Sequence, residues 1–390
     1  MLKEKDRSIL MLTLGCFFAF LAFGFIDNLK GPTITPFLKD LNFSYSQGGT
    51  IIFIGYIGFV IATLTTGIVS DMVGRKAGIF IGLTSLFIGT IAYGLLSYFW
   101  FLAIAMLFLG FGLGSIDLGT HSIIVDIHRQ SKGRYLNLLT FFYGAGAMIG
   151  SFYAGQLIRM NFTWRQVYLY SLILIVVVLT YFMIVKYPKD NNVSESKKRN
   201  LIDSGKSAFT KETCLYYLLI ASYIGIEVGI ASWMVEFLQK VKFQSVGISS
   251  LFLTLYFGAI MIGRFFGSFL VDFIGYLKSI LIVSLAAACC ILIGIFGPST
   301  LVFFLPLSGL FLSIIMPTSV AAVSGLHPDN TGIILGISFT FVGIGRMVGP
   351  WIIGIFSDLL GIKLGFSMTI VFCSLLIATV IVLKKKENKI

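Results

Sequence analysis

The sequence predicts an all-α membrane protein in which twelve transmembrane helices form two bundles of six. Hydrophobic residues make up 57% of the 390 residues, and charged residues make up only 12%. A soluble domain carries about 25% charged residues, so too few charges are present to cover a water-exposed surface of this size. The apolar residues also fall into twelve stretches long enough to cross a bilayer, with one long hydrophilic segment after the sixth. We therefore expect lipid to be the solvent for most of the chain.

A crossing of the hydrocarbon core takes about 20 residues of helix, and this length defines the predicted spans. The first six lie at residues 9–36, 46–70, 77–97, 100–124, 134–158 and 165–185. The second six lie at residues 214–238, 248–270, 278–297, 300–324, 330–356 and 363–383. Because no A-x-A-like cleavage site precedes or ends the first stretch, we expect it to be retained as a helix and not removed as a signal peptide.

The hydrophilic segment at residues 186–213 contains YPKDNNVSESKKRN and interrupts the apolar pattern. Since it divides the spans evenly, we interpret it as a cytoplasmic linker between an N-terminal bundle (1–185) and a C-terminal bundle (214–390). The alternative is a surface loop that has no role in domain organisation.

The distribution of Lys and Arg predicts the orientation in the membrane. Twenty of the 29 basic residues lie on the side of the two termini and the linker, six lie on the opposite side, and three lie within spans. The positive-inside rule then places both termini and the linker in the cytoplasm of a multi-pass inner-membrane protein. This topology accounts for the net charge of +12, so we expect no nucleic-acid partner.

Other classes of function lack their sequence signatures. The five cysteines fall in or beside apolar stretches without metal-ligand spacing, so we expect neither a metal site nor disulfides. The sequence contains no P-loop, nucleophile elbow or HExxH motif, and no hydrophilic segment is large enough for the nucleotide-binding domain of an ATP-driven pump. We therefore expect no enzyme activity and no cofactor, and a protein that acts as a monomer in the bilayer.

A repeated motif follows three of the predicted spans. The loop after the second span reads GIVSDMVGRK from Gly67 to Lys76, and the pattern recurs at 268–275 and 354–361. A small residue lets helices approach closely, a carboxylate can pair with a cation or a helix N-terminus, and a final glycine permits a tight turn. Such contacts can be made in one conformation and broken in another, which favours a gate over an ordinary helix-capping turn. The candidate gating residues are Gly67, Asp71, Gly74, Arg75, Lys76, Asp126, Asp272 and Asp358.

Ionisable residues within a span are costly, which makes them candidates for function. Asp27 and Lys30 in the first span are three residues apart, so they share a helix face and can form an ion pair. The alternative is that Lys30 snorkels to the membrane surface. Asp117 and His121 in the fourth span are four residues apart, and a carboxylate beside an imidazole suits proton coupling. The alternative for this second pair is a hydrogen-bonded contact that only packs helices.

The seventh span places Glu227 near its middle and Trp233 one and a half turns later. A carboxylate accepts hydrogen bonds from hydroxyl groups, and an indole face covers the C–H surface of a pyranose, so this pair suits sugar binding. Glu236, closer to the outer end, is expected to be in water. The charge partners expected for the membrane carboxylates include Arg264 and Arg346, in the eighth and eleventh spans.

The loop motif after the second span, G-x-x-x-D-x-x-G-R-K, resembles that of the major facilitator superfamily. This resemblance implies the major facilitator fold, in which two bundles rock about a central site and give alternating access. Shorter stretches resemble the fucose/glucose–galactose symporter branch and its sodium-dependent glucose transporter relatives. These stretches are GFIDNLKGPTITPFL, GLGSIDLGTHSII, LNLLTFFYGAG, and YIGIE followed by Trp233.

The branch resemblance implies uptake of a monosaccharide coupled to H⁺ or Na⁺. It implies that the acids of the first and fourth spans act in coupling, and that the matched Asn and Glu of the fifth and seventh spans recognise the sugar. The candidate ion-coupling residues are therefore Asp27 and Asp117, together with nearby His121. The candidate substrate-binding residues are Asn137 and Glu227, together with Asn28 and Trp233. The chain departs from the branch at His121, where asparagine is common, and at Ser151, where proline is usual.

Two other functions are compatible with the same helices. A proton-driven exporter of drugs or amphipathic metabolites fits the 38 phenylalanines, which can line an apolar cavity. Such antiporters often carry a Gly-Pro-rich motif in the fifth span, and the stretch from Gly150 to Gly155 has no proline. A sensor or scaffold that does not transport would leave the membrane carboxylates unexplained. We therefore favour a cation-coupled sugar importer.

Overall fold

The computed structural model describes residues 2–128, 131–185, 209–326 and 331–387. The helices of the first part are α1 (Leu2–Asp27), α2 (Lys30–Leu41), α3 (Tyr45–Val73), α4 (Arg75–Leu95), α5 (Phe99–Ile127), α6 (Lys132–Arg159) and α7 (Trp164–Ile184). Those of the second part are α8 (Lys211–Val241), α9 (Val246–Ile274), α10 (Tyr276–Phe296), α11 (Phe304–Leu312), α12 (Ile315–Leu326), α13 (Thr331–Leu360), α14 (Ile362–Phe366) and α15 (Met368–Glu387). Apart from a short 3₁₀ turn at Ser299–Leu301, every element within these ranges is an α-helix.

The prediction of twelve spans is confirmed. Within the four described ranges, twelve helical segments are long and apolar enough to cross a membrane. They run from Arg7–Leu41, the first, to Ile362–Glu387, the last, and each coincides with a predicted span. The agreement has a physical basis, since a backbone in hydrocarbon must satisfy its N–H and C=O groups internally and a helix does so.

The chain forms two compact units. One contains α1 to α7 together with Ser245–Thr254, which includes the start of α9, and the other contains α8, the rest of α9, and α10 to α15. Residues 186–208 of the predicted linker (186–213) lie outside the described part of the chain, so the role of this segment between the halves stays a prediction.

Two predicted spans are each divided by a break in the helix. The first span breaks at Asn28 and Leu29, between α1 and α2, and the tenth breaks at Ser313 and Ile314, between α11 and α12. Each break lies three to four residues before a proline, Pro32 or Pro317. Proline has no N–H to donate to the carbonyl of residue i−4, and its ring clashes with that carbonyl, so the helix is interrupted there.

Glycines allow the helices to pack at backbone contact. In the first unit α1 packs on α6, where a methyl group added at Gly24 would overlap the carbonyl oxygen of Tyr143. In the second unit α8 packs on α13, where a methyl group at Gly349 would overlap the carbonyl oxygen of Gly225. Without a hydrophobic force between helices in lipid, such close approach supplies the packing energy. The two units therefore use the same device in equivalent helix pairs.

The repeated motif ends three helices in the same way. Gly74, Gly275 and Gly361 follow α3, α9 and α13, and their φ angles are 111°, 88° and 83°. Positive φ is accessible to glycine at no steric cost, which is why glycine occupies the last position of each copy.

Candidate functional site

The break in the first span holds a buried ion pair. Asp27 is the last residue of α1 and Lys30 is the first residue of α2, and their side chains are 4% and 7% exposed. The ammonium of Lys30 donates hydrogen bonds to Asp27 Oδ1 and to the carbonyl oxygen of Asp27, both at 2.5 Å. Lys30 therefore does not snorkel to the surface, because its charge is neutralised within the protein.

Two tyrosines from other helices complete this pair. The hydroxyl of Tyr56, on α3, donates to Asp27 Oδ1 at 2.9 Å and accepts a hydrogen bond from Lys30 at 2.7 Å. The hydroxyl of Tyr143, on α6, donates to Asp27 Oδ2 at 3.0 Å. Both oxygens of the carboxylate thus accept hydrogen bonds, as a charged group buried in low dielectric requires. Neighbouring Asn28 is also buried, and its amide donates to the carbonyl of Gly24 at 2.8 Å.

The second predicted pair lies on α5. Nδ1 of His121 is 3.0 Å from Asp117 Oδ1 and 2.8 Å from the carbonyl oxygen of Asp117. Their side chains are 26% and 15% exposed, so this pair is more accessible than Asp27 and Lys30. The helical spacing of four residues brings the groups together, as the sequence predicted.

Aromatic rings separate the two charged pairs. Phe20 packs edge-on against His121, with 5.2 Å between ring centroids, and against Phe23 at 5.3 Å. Phe23 in turn packs against Tyr143 at 4.9 Å, and Tyr143 reaches Asp27. We call Phe20, Phe23 and Tyr143 the aromatic cluster. It lies between the two charged pairs and contacts both of them, and the Tyr143 hydroxyl is its one polar group.

The second unit contains its own buried polar cluster around Glu227 on α8. Tyr223, one turn earlier, and Tyr256, on α9, both interact electrostatically with Glu227 and with Arg264. In the described structure, Glu227 Oε2 and the Tyr256 hydroxyl have no hydrogen-bond partner and are inaccessible to solvent. A buried polar atom without a partner is costly, and one explanation is a ligand that supplies the missing bond.

Trp233 occupies a packing position. Its side chain is fully buried, and its indole N–H donates to the carbonyl oxygen of Pro350 on α13 at 2.9 Å. The ring is covered by protein in this structure, so the role of Trp233 in sugar binding stays a prediction. Glu236, expected in water, is buried at 2% exposure. The charge partners Arg264 and Arg346 are half-buried in α9 and α13.

Asn137 and several gating residues lie apart from these clusters. Asn137 is exposed near the start of α6, two turns before Tyr143. Lys76 donates to the carbonyl oxygen of Val185 at 2.9 Å, so it caps the C-terminus of α7, where a cation is favourable. Asp126 is half-buried, Asp358 is exposed, and the side chains of Asp71, Arg75 and Asp272 lie outside the described part of the structure. Gating therefore stays a prediction.

Four tyrosines in these polar clusters were not singled out from the sequence: Tyr56, Tyr143, Tyr223 and Tyr256. Tyr143 and Tyr223 stand inside the stretches quoted for the branch resemblance, and a phenol in the middle of an apolar span was the available signal. No group of three or more His, Cys, Asp or Glu side chains suited to a metal ion occurs in the residues that the structure describes.

Comparisons with known proteins give the family. The family profile described as Major Facilitator Superfamily matches residues 15–244 and 240–389. The chain is 24% identical over 371 residues to the L-fucose-proton symporter of Escherichia coli (strain K12), covering 86% of this chain and 84% of that protein. It is 26% identical over 379 residues to the glucose/galactose transporter of Brucella abortus biovar 1 (strain 9-941), covering 90% and 89%.

Among solved structures, a bacterial homologue of the human lysosomal transporter Spinster, in an inward-facing and occupied conformation, has the same fold. Its TM-score is 0.77 at 14% sequence identity, over 98% of this chain and 97% of that chain. The profile match spans nearly all twelve helices, and the likeness in fold agrees with it. The chain is therefore a membrane protein that belongs to the Major Facilitator Superfamily.

Proposed function

We propose that this protein is a proton-coupled monosaccharide symporter of the inner membrane, with both termini in the cytoplasm. Its relatives named above are a fucose–proton symporter and a glucose/galactose transporter, which supports a sugar as the substrate. The excess of Lys and Arg on the side of the termini supports the orientation. The family's architecture supports alternating access about a site in the membrane.

The observation that carries the coupling is the contact between Asp117 and His121. With a neutral imidazole the pair carries a net charge of −1, and with a proton on the imidazole the pair is neutral and hydrogen-bonded. A neutral pair costs less to enclose in a low-dielectric interior than a lone charge does. Proton binding therefore favours the reorientation of the loaded carrier, and the partial exposure of both groups gives the proton access.

The same contact favours a proton over Na⁺ as the coupling ion. Hard cations prefer oxygen ligands, whereas one of the two side chains here offers an imidazole nitrogen. His121 stands where the related branch commonly has an amide, so the chain carries a titratable group at this position.

The cluster around Glu227 supports substrate recognition. Its Oε2 atom is buried without a hydrogen-bond partner in the described structure and can accept a hydrogen bond from a sugar hydroxyl, and the Tyr256 hydroxyl, buried in the same way, can donate or accept one. A site built to hydrogen-bond hydroxyl groups discriminates strongly against ligands that lack them, because its polar groups would then stay unpaired. We add Tyr223 and Tyr256 to Glu227, the predicted substrate-binding residue of this cluster.

A thermal-shift screen on the purified full-length chain tests this function. The panel contains monosaccharides, organic anions and hydrophobic cations, and a bound ligand raises the unfolding temperature according to its concentration relative to its Kd. We expect stabilisation by at least one monosaccharide, and loss of that response in Glu227→Gln. Stabilisation by hydrophobic cations alone would contradict the proposal and would favour the exporter.

A further inference from the structure

The ammonium of Lys30 is surrounded by oxygen atoms. Its nitrogen lies 2.5 Å from Asp27 Oδ1, 2.5 Å from the carbonyl oxygen of Asp27, and 2.7 Å from the hydroxyl oxygen of Tyr56. The ring of Tyr56 also faces the ammonium, with the nitrogen 4.9 Å from the ring centroid. The ligands are therefore a carboxylate, a backbone carbonyl and a phenol.

This set of ligands has the composition of a site for a small monovalent cation. A break in a membrane helix frees backbone carbonyls, and the C-terminal end of the first half-helix carries partial negative charge. Asp27 is the last residue of α1, so its carbonyl lies at that negative end and its side chain adds a full charge. Such half-helix ends, with unwound carbonyls and an acidic group, hold coupling ions in transporters.

The cation that occupies the position here is part of the chain. Lys30 reaches the site from three residues away, and its side chain is only 7% exposed. Tyr56 and Tyr143 bind Asp27 from two further helices, α3 and α6, so the geometry of the site does not depend on Lys30 alone. Removing the ammonium would leave a carboxylate, a carbonyl and a phenol directed at an empty space.

We propose that Lys30 is a tethered cation that fills a cation site at Asp27, so that Asp27 binds no exchangeable ion. The consequence for transport, which rests on the proposed function, is that Asp117 and His121 carry the exchangeable proton alone. The site itself accepts Na⁺ or a proton only when the ammonium is removed. Asp27 is then a structural member of the site and not the coupling acid that the branch resemblance implies.

The test compares the wild-type chain with Lys30→Met, which keeps an unbranched side chain as far as Cε and removes the charged ammonium. Thermal unfolding is measured in NaCl and in choline chloride at equal ionic strength, and again between pH 7.5 and 5.5, without any sugar. Wild type should unfold at the same temperature in both salts. In choline chloride at pH 7.5, Lys30→Met should unfold at a lower temperature than wild type. Its unfolding temperature should then rise saturably with Na⁺ if Na⁺ refills the site, or rise on acidification if H⁺ does.

The other titratable groups that face the site are His121 and Asp117, through the aromatic cluster, and Tyr168 on α7, which interacts with Asp27, so the pH response is scored as a difference from wild type. The double variant Asp27→Asn/Lys30→Met removes both charges, so its unfolding temperature should rise neither with Na⁺ nor on acidification. It also replaces the single variant if Lys30→Met does not fold. In that case Na⁺ is tested on the wild type and the double variant alone.

The proposal is overturned by either of two results. The first is a saturable stabilisation of the wild type by Na⁺ that the double variant lacks, since Asp27 would then bind an exchangeable ion beside Lys30. The second is a folded Lys30→Met that responds to neither Na⁺ nor pH. Because no substrate is used, both results leave the sugar proposal untouched, and a failed sugar screen leaves this test valid.

Discussion

Tyr143 on α6 donates a hydrogen bond to Asp27 Oδ2 on α1, at 3.0 Å. The two residues are 116 positions apart in the chain, and the bond ties the fifth span to the break in the first. It also connects the buried ion pair to the aromatic cluster that leads to His121. We therefore expect a change in the conformation of one charged pair to shift the side chains of the other pair through Tyr143.

Tyr143→Phe removes the hydroxyl and keeps the ring, so Asp27 Oδ2 is left in a buried environment without this donor. A hydrogen bond to a charged group contributes about 1.5–3 kcal/mol, and we expect a loss of free energy of unfolding in that range. The measurement is thermal or denaturant unfolding in detergent. Tyr98→Phe is the matched control, because Tyr98 is 75% exposed. Equal stability of the two variants would show that the Tyr143 hydroxyl contributes nothing to the pair.

Gly146→Ala places a methyl group against the carbonyl oxygen of Leu21, at the contact between α6 and α1. Forcing extra volume into a packed contact costs about 1–3 kcal/mol, and we expect a corresponding drop in stability. Gly133→Ala in the same helix meets nothing within 4 Å and should be neutral or slightly stabilising. Unfolding curves of both variants decide the point, and a neutral Gly146→Ala would refute the close contact.

The contacts of His128, at the end of α5, are expected to contribute less to the stability of the protein in acid. His128 Nε2 lies 2.8 Å from Thr13 Oγ1, its ring stacks on Tyr135, and burial lowers the pKa of His128 below its ordinary value. The unfolded chain then binds a proton at His128 at a higher pH than the folded chain does. The contribution of His128 to the free energy of unfolding is therefore fully present above about pH 6.5 and is lost as the pH falls through the folded pKa. Unfolding temperatures at pH 7.5 and 5.5 should differ more for wild type than for His128→Gln. A variant with the wild-type difference would exclude His128 as the cause.

Tyr256→Phe tests the polar cluster of the second unit. If the hydroxyl binds the sugar, its removal should weaken binding by about tenfold, which corresponds to about 1.4 kcal/mol, with little change in stability because the atom has no partner in the described protein. Tyr216→Phe, a buried tyrosine in α8 near the first turn, is the control. Calorimetric titration with the monosaccharide from the screen measures both, and unchanged affinity in Tyr256→Phe would remove Tyr256 from the site.

The spans could be predicted because hydropathy and length directly reflect the cost of a backbone in lipid. The pairing of Asp117 with His121 could also be predicted, since helical geometry alone brings residues i and i+4 together. The break at Asn28 was not predicted, although Pro32 carried the signal, because a hydropathy window averages over single residues. The contacts of Asp27 with Tyr56 and Tyr143 depend on tertiary packing between distant helices.

Burial of individual polar residues was the least predictable property. Glu236 was expected in water and is buried, and Trp233, expected to present a ring face to a sugar, is fully buried with its indole N–H bonded to the carbonyl oxygen of Pro350. In a span that is apolar on all sides, the sequence does not show which face meets lipid, protein or a cavity.

The most direct measurement of coupling uses Asp117→Asn in proteoliposomes, with Glu212→Gln, an acid in the first turn of α8, as the control. Uptake of the identified monosaccharide is followed under an imposed proton gradient and, separately, as exchange at equal pH. We predict that Asp117→Asn exchanges sugar across the membrane but no longer accumulates it, while the control does both. Accumulation against the sugar gradient by Asp117→Asn would contradict the assignment of coupling to Asp117 and His121.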